Sequence, residues 1–62
     1  MNKFKVGDKV RPKHWVDKSY TNNMFHDETG IVVTVHGPFL YTVKRDSDGE
    51  YFTANEMYWE EA

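Results

Sequence analysis

Apolar side chains fall in short runs along the chain, and where a period is readable it is two rather than 3.6. Val10 stands between Lys9 and Arg11, after the turn dipeptide Gly7-Asp8. The opening Phe4–Pro12 therefore predicts a turn feeding a first strand, with Val10 inward and the two cations outward. Pro12 has no amide hydrogen to give a ladder, which ends that strand or places it at an edge. Gly30–Val35 is the clearest strand, rich in β-branched residues and bounded by Thr29-Gly30 and His36-Gly37-Pro38. Strict alternation puts Ile31, Val33 and Val35 on one face, whereas a bulge brings Val32 and Val35 inward; the pattern leaves both registers open. Phe39–Arg45 predicts the next strand, with Tyr41 and Val43 on one face and Thr42 and Lys44 on the other. Asp46-Ser47-Asp48-Gly49 is a hairpin turn made of residues that tolerate positive φ, and Glu50–Thr53 is the returning strand. Ala54–Met57 reads as a single helical or 3₁₀ turn before a last short strand, Tyr58–Glu60.

From Lys13 to Thr29 neither period is sustained. His14, Trp15, Tyr20, Met24, Phe25 and His26 are scattered among polar residues, which predicts one long excursion with a short helical turn near Ser19–Met24. Loops of this length are uncommon in compact domains and are usually functional when they occur.

Composition narrows the class. With 62 residues the chain predicts a single domain over 1–62 whose core is small, since a domain of this size buries only about 60% of its unfolded surface. Aromatics make up 16% of the residues, which argues for a folded domain. Cysteine is absent, so neither a disulfide nor a thiolate metal site is open to it. No apolar run is long enough to span a bilayer, the opening MNKFKVGDKV lacks the apolar stretch of a secretion signal, and a small cysteine-free domain is expected in the cytoplasm. The net charge is −2, but residues 1–18 hold six cations against two carboxylates, and residues 19–62 hold two against eight. Such asymmetry can mark a basic surface for nucleic acid or for an acidic partner. Neutralisation of a first strand by a last strand lying beside it is the stronger reading, because dedicated nucleic-acid binders are basic overall.

The order of signals is Lys5-Val6-Gly7-Asp8-Lys9-Val10-Arg11, a long loop, Thr29–Val35, Tyr41-Thr42-Val43, Asp46–Gly49 and Phe52–Met57. It resembles the small SH3-like barrels, in particular stand-alone bacterial and bacteriophage proteins with a KxGDxVR…TGxVxxV…DxDG…F…xEL layout. The barrel subunit of photosystem I and the KOW-type modules are similar in outline. The likeness runs from about Phe4 to Trp59 and rests on turn and core positions, with Met57 where a leucine is usual. It implies an all-β fold, a small five-stranded SH3-like barrel with a long first loop and a short 3₁₀ turn before the last strand. It implies a binding module rather than a catalyst, and by analogy a phage or mobile-element protein that meets a host or assembly partner. The loop from Lys13 to Glu28 matches no family pattern, and partner choice is expected to reside there.

Ten aromatics exceed what so small a core holds. Members of the set Phe4, Tyr41, Phe52 and Trp59 are expected inside, with the rest on the surface. In SH3-like domains the long first loop and nearby rings form the ligand groove, so Trp15, Tyr20, Phe25 and Tyr58 are the expected protein-binding residues, with Trp15 and Tyr20 as anchors. The competing expectation for these rings is a secondary core that closes an open end. Lys9, Arg11, Lys13 and Lys18, interleaved with His14 and Trp15, form the alternative site, a KOW-like contact to RNA or DNA in which rings stack on bases and cations meet phosphates. An ordinary solvated strand face explains the same cations. Assembly is the third class: Tyr41-Thr42-Val43 and Tyr51-Phe52-Thr53 offer edges for pairing with a second copy. His14, His26 and His36 fit no zinc spacing, and Asp46, Asp48 and Glu50 lack the remaining ligands of a calcium loop. Neither Ser19 nor Ser47 has a visible activating arrangement. The chain is thus expected to be a non-enzyme without metal or cofactor, acting on a protein partner.

Overall fold

The computed structural model describes residues 3–62, and in it the alternating segments become strands: β1 (Lys9–Pro12), β2 (Gly30–Val35), β3 (Leu40–Arg45), β4 (Tyr51–Asn55) and β5 (Trp59–Glu61). Two 3₁₀ turns, η1 (Lys18–Thr21) and η2 (Glu56–Tyr58), interrupt them. Every pairing is antiparallel, in one sheet of order β4-β3-β2-β1-β5. The outermost strands β4 and β5 are joined by η2 alone. In a flat sheet they would stand about 19 Å apart at the usual strand spacing. The short connection reaches about 14 Å at most, so the sheet has to curl. The indole N–H of Trp59 donates to the Ala54 carbonyl at 3.2 Å and ties the two edges together.

The concave side collects the inward positions of each strand. Val10, Val32, Tyr41, Val43, Phe52, Ala54 and Trp59 are buried there, with Phe4 from the N-terminal segment and Met24 from the long loop. Of the set Phe4, Tyr41, Phe52 and Trp59, from which the core was expected to draw, all four are buried. β2 follows the bulged of its two open registers: Val32 pairs with Val43 and Thr34 with Thr42, leaving Val33 as the extra residue. The bulge resets the alternation, so Val32 is buried and Val35 packs against the core. Gly30 is required by a close approach: a Cβ there would lie 2.5 Å from Val43 Cγ1 and 2.6 Å from the Lys44 carbonyl oxygen. At the same end of β3 the Asp46–Gly49 turn is closed by Arg45, which accepts from Gly49 through its carbonyl and holds Asp48 with its guanidinium.

Boundaries shift by a few residues for local reasons. β4 continues through Ala54 and Asn55, because Ala54 pairs with Tyr41 and Asn55 with Leu40. The Asn55 side chain then caps η2 by accepting from the Met57 amide. The helical turn of the loop starts one residue before Ser19 and ends at Thr21. Asp17 caps it by accepting from the Ser19 amide, and Asn22 ends it in the left-handed region at φ 57°. Among the described residues, no helix is long and apolar enough to cross a membrane.

Candidate interaction surface

The segment between β1 and β2 is ordered by its own polar groups. Backbone amides of Val16, Tyr20, Asn23 and Glu28 bond back to carbonyls of Lys13, Asp17, Lys18 and Phe25, making a succession of tight turns. Thr21, fully buried, donates its hydroxyl to the Met24 carbonyl at 2.8 Å, and the Met24 side chain plugs into the core. Glu28 closes the last turn by accepting from the Phe25 amide at 2.8 Å. The expected long excursion is therefore a chain of capped turns, its helical turn at Lys18–Thr21, riveted by one side chain. Asn22 fastens it to the outer strand, donating from Nδ2 to the Thr53 carbonyl at 3.0 Å.

This arrangement decides which rings meet. The β1–β5 ladder runs one step past the strands, where the Lys13 amide donates to the Tyr58 carbonyl at 2.9 Å. Trp15 is thereby brought against Tyr58, edge to face, with centroids 6.5 Å apart and planes at 67°. Tyr20 also meets Tyr58, stacked at 5.2 Å and 14°. Trp15, Tyr58 and Tyr20 thus form a three-ring ladder, with the middle ring rooted in η2 and the outer two in the loop. Tyr58 is partly buried against the core, while Trp15 is 59% and Tyr20 57% exposed. Phe25, the fourth expected residue, makes no ring contact with them; it is about half exposed and carries the Lys18 ammonium 5.2 Å above its ring.

The four cations of the alternative site separate into two pairs. Lys9 meets Asp46 at 3.3 Å, and Arg11 meets Glu60 at 2.8 Å across the β1–β5 pairing. Lys13 and Lys18 instead lie over rings, Lys13 at 5.8 Å from the Trp15 centroid. Neither has a carboxylate within ion-pair distance among the described residues. Neutralisation of the first strand by the last is therefore seen for Arg11, while Lys9 is paired with Asp46 of the turn after β3 and the ion pairing stops at the root of the loop.

Several other ionisable residues are engaged structurally. Asp48 accepts from both Arg45 and the Glu50 amide, and the Arg45 bond chiefly holds its carboxyl down at about 2. Asp46 accepts from Thr29, which lowers its carboxyl below the ordinary value, with Lys9 adding to the effect. Glu56 accepts from the Tyr41 hydroxyl at 2.6 Å and the Lys3 amide at 3.0 Å, and these bonds lower it too. Burial first, and the Glu56 bond second, push the Tyr41 hydroxyl up. His36 bonds through Nε2 to the Thr42 hydroxyl at 2.7 Å, and Thr42 to the Thr53 hydroxyl at 2.7 Å, in a polar ladder on the outer face. Among the described residues, no three acidic, histidine or cysteine side chains are grouped as a metal site.

Two shallow clefts of about 340 and 450 Å³ lie elsewhere, one beside Asp27, Thr29 and Asp46 and one beside Phe4, Lys9 and Glu61. Neither is lined by a ladder residue. Sequence reasoning missed what assembles it, the Lys13–Tyr58 backbone bond and the Asn22 clasp. The pair Asn22-Asn23, both at positive φ, was the available signal, since adjacent asparagines favour left-handed turns. Comparison with family models, with curated proteins and with solved structures found no match to this chain.

Proposed function

We propose that this chain is a non-catalytic protein-interaction module on an SH3-like barrel, and that its docking surface is the Trp15–Tyr58–Tyr20 ladder. The observation that carries the reading is that two large rings stay more than half exposed while fixed in defined geometry against a third. Exposed rings on rigid elements are the usual material of binding hot spots, because they bury much area for little lost freedom. The curled five-stranded sheet and the turn η2 between its outer strands support the SH3-like assignment. The family likeness extends the proposal to a cytoplasmic phage or mobile-element protein acting on a host or assembly partner. The nucleic-acid reading is weaker, since Lys9 and Arg11 are already paired with carboxylates.

The test is affinity capture from bacterial lysate with wild type and with Trp15→Ala/Tyr20→Ala, each in nuclease-treated and untreated halves. A stoichiometric protein retained by wild type after nuclease and lost by the double variant supports the module. Retention by both proteins moves the docking surface away from the ladder. Recovery only without nuclease replaces the reading with nucleic-acid binding.

A further inference from the structure

Resting on that docking surface, we infer that its rings form a fixed half and an adjustable half, and that Asn22 is the positioning residue of the second. The two rings that meet Tyr58 reach it by different means. Trp15 follows from backbone pairing. The Lys13 amide donates to the Tyr58 carbonyl at 2.9 Å and the Val16 amide to the Lys13 carbonyl at 3.0 Å, so Trp15 stands in a turn that begins on the sheet. Tyr20 has no such root. Among the described residues, the backbone bonds made by amides from Val16 to Glu28 all stay within the loop. From Asp17 to Phe25 one hydrogen bond reaches the frame, and it is the bond from Asn22 Nδ2 to the Thr53 carbonyl at 3.0 Å.

Burial also holds this part of the loop, through Met24 and Thr21, and the Thr21 hydroxyl bonds only to the Lys18 and Met24 carbonyls of the loop itself. Apolar burial has no direction, so these two side chains set how deep the loop sits. An amide–carbonyl bond has direction, and it sets where η1 stands along β4. Asn22 is suited to that task. It ends η1 in the left-handed region, at φ 57°, with its own amide on the Lys18 carbonyl, a conformation open to asparagine and closed to most other side chains. The carbonyl it meets lies on a strand that is paired on one side only, so the Asn22 amide takes the place of a neighbouring strand's N–H. The clasp is exposed to water, and bonds of that kind open more readily than those of a buried ladder. When it opens, η1 keeps its Asp17 cap and its bonds to the Lys18 carbonyl, and carries Tyr20 with it as a unit.

The experiment compares isotope-labelled wild type, Asn22→Gly and Asn23→Gly by NMR, reading the contacts of the Tyr58 ring with Tyr20 and with Trp15. Glycine accepts the left-handed backbone at both positions. Asn23, at φ 77°, is the matched control, since its side chain makes no hydrogen bond among the described residues. In Asn22→Gly the Tyr20–Tyr58 contacts should weaken about five-fold relative to the Trp15–Tyr58 contacts, the scale of one net hydrogen bond. The Trp15–Tyr58 contacts and the β3 amide signals should stay as in wild type, and Asn23→Gly should change neither ring pair. Tyr20–Tyr58 contacts at wild-type strength in Asn22→Gly overturn the inference, since burial alone then positions the ring. Loss of both ring pairs together overturns it as well, because the surface then moves as one piece. Equal weakening in Asn23→Gly assigns the effect to the turn instead of the clasp, and the positioning role falls. Capture from bacterial lysate with the same variants separates this inference from the docking reading. Lower recovery by Asn22→Gly than by Asn23→Gly supports both. A weakened Tyr20 stack with undiminished recovery supports Asn22 as the positioning residue and removes Tyr20 from the docking surface.

Discussion

The strands and the long loop treat the same residue types in opposite ways. Phe4, Tyr41, Phe52 and Trp59 are buried, whereas Trp15, Tyr20 and Phe25 stand half or more exposed. In the sheet a ring's fate is set by alternation, since a position two residues from a buried one points to the same side. The loop has no such constraint. Its shape is fixed by Asp17, Thr21, Asn22 and Glu28 bonding to nearby backbone, and by Met24 as its single apolar rivet. Once polar caps and one plug hold the backbone, the rings are released from structural duty. The frame commits four rings to the core and leaves the outward positions Phe39 and Tyr51 exposed, whereas the loop exposes all three of its own.

That contrast is open to attack first where the frame is strongest. Trp59 is fully buried and its indole bridges the two outer strands. Trp59→Ala should cost about 3–5 kcal/mol, much of the total for a domain this small. The expected outcome is a chain with collapsed amide dispersion in an NMR spectrum at 25 °C. A well-dispersed spectrum would show that the frame does not depend on this closure. Met24→Ala tests the rivet and should cost about 2–3 kcal/mol by urea denaturation. Its larger consequence should be local, with faster hydrogen exchange at the amides of Tyr20 and Asn23 than at those of β3. Uniform acceleration across both regions would mean that loop and frame unfold as one, and the contrast would fail.

The frame was legible in the sequence because strand physics is repetitive. Val10 between two cations, Tyr41 and Val43 two apart, and the Asp-Ser-Asp-Gly turn each follow from one local rule. The β2 register was not decided, since Val32 and Val33 have equal claims until the pairing with Val43 and Thr42 selects the bulge. The candidate site was readable as residues and not as an arrangement. Trp15, Tyr20 and Tyr58 do converge, but through a backbone bond from Lys13 that no pattern of side chains announces. Phe25 looked equivalent to them in sequence and is held apart by the turn that Glu28 closes. The charge asymmetry was likewise half informative: Lys9 and Arg11 are neutralised across the sheet, while Lys13 and Lys18 lie beyond the acidic strand's reach.

Acid should weaken the frame and, through the Asp17 cap, the turn that carries Tyr20. Asp48, Asp46 and Glu56 are all lowered by bonds that exist only in the folded chain, to Arg45, to Thr29 and to Tyr41 with Lys3. A carboxylate lowered on folding stabilises fully above its unfolded value and loses that contribution as pH falls through the folded one. The urea midpoint should therefore be flat above about pH 5 and decline between about 4 and 2, the lower limit being set by Asp48 at about 2. Asp48→Asn/Glu56→Gln should start lower at pH 7 and decline less steeply. An identical slope in the variant would assign the acid sensitivity to other carboxylates.

The smallest effect on stability is expected where the effect on binding is largest. Removing the Trp15 ring forfeits one edge-to-face contact with Tyr58 in a setting open to water, and removing Tyr20 forfeits one stack. Each should lower the unfolding free energy from urea denaturation by about 0.5 kcal/mol or less, because neither ring plugs the core and no backbone bond depends on either side chain. Gains from such exposed ring pairs are small, since water already screens and competes for the same faces. A midpoint that falls as far for Trp15→Ala as for Met24→Ala would make Trp15 a second rivet, closing the open end of the sheet rather than displaying a surface. The division between the four rings that the frame buries and the three that the loop presents would then give way to one continuous core, with Lys13 and Lys18 reduced to its solvated rim.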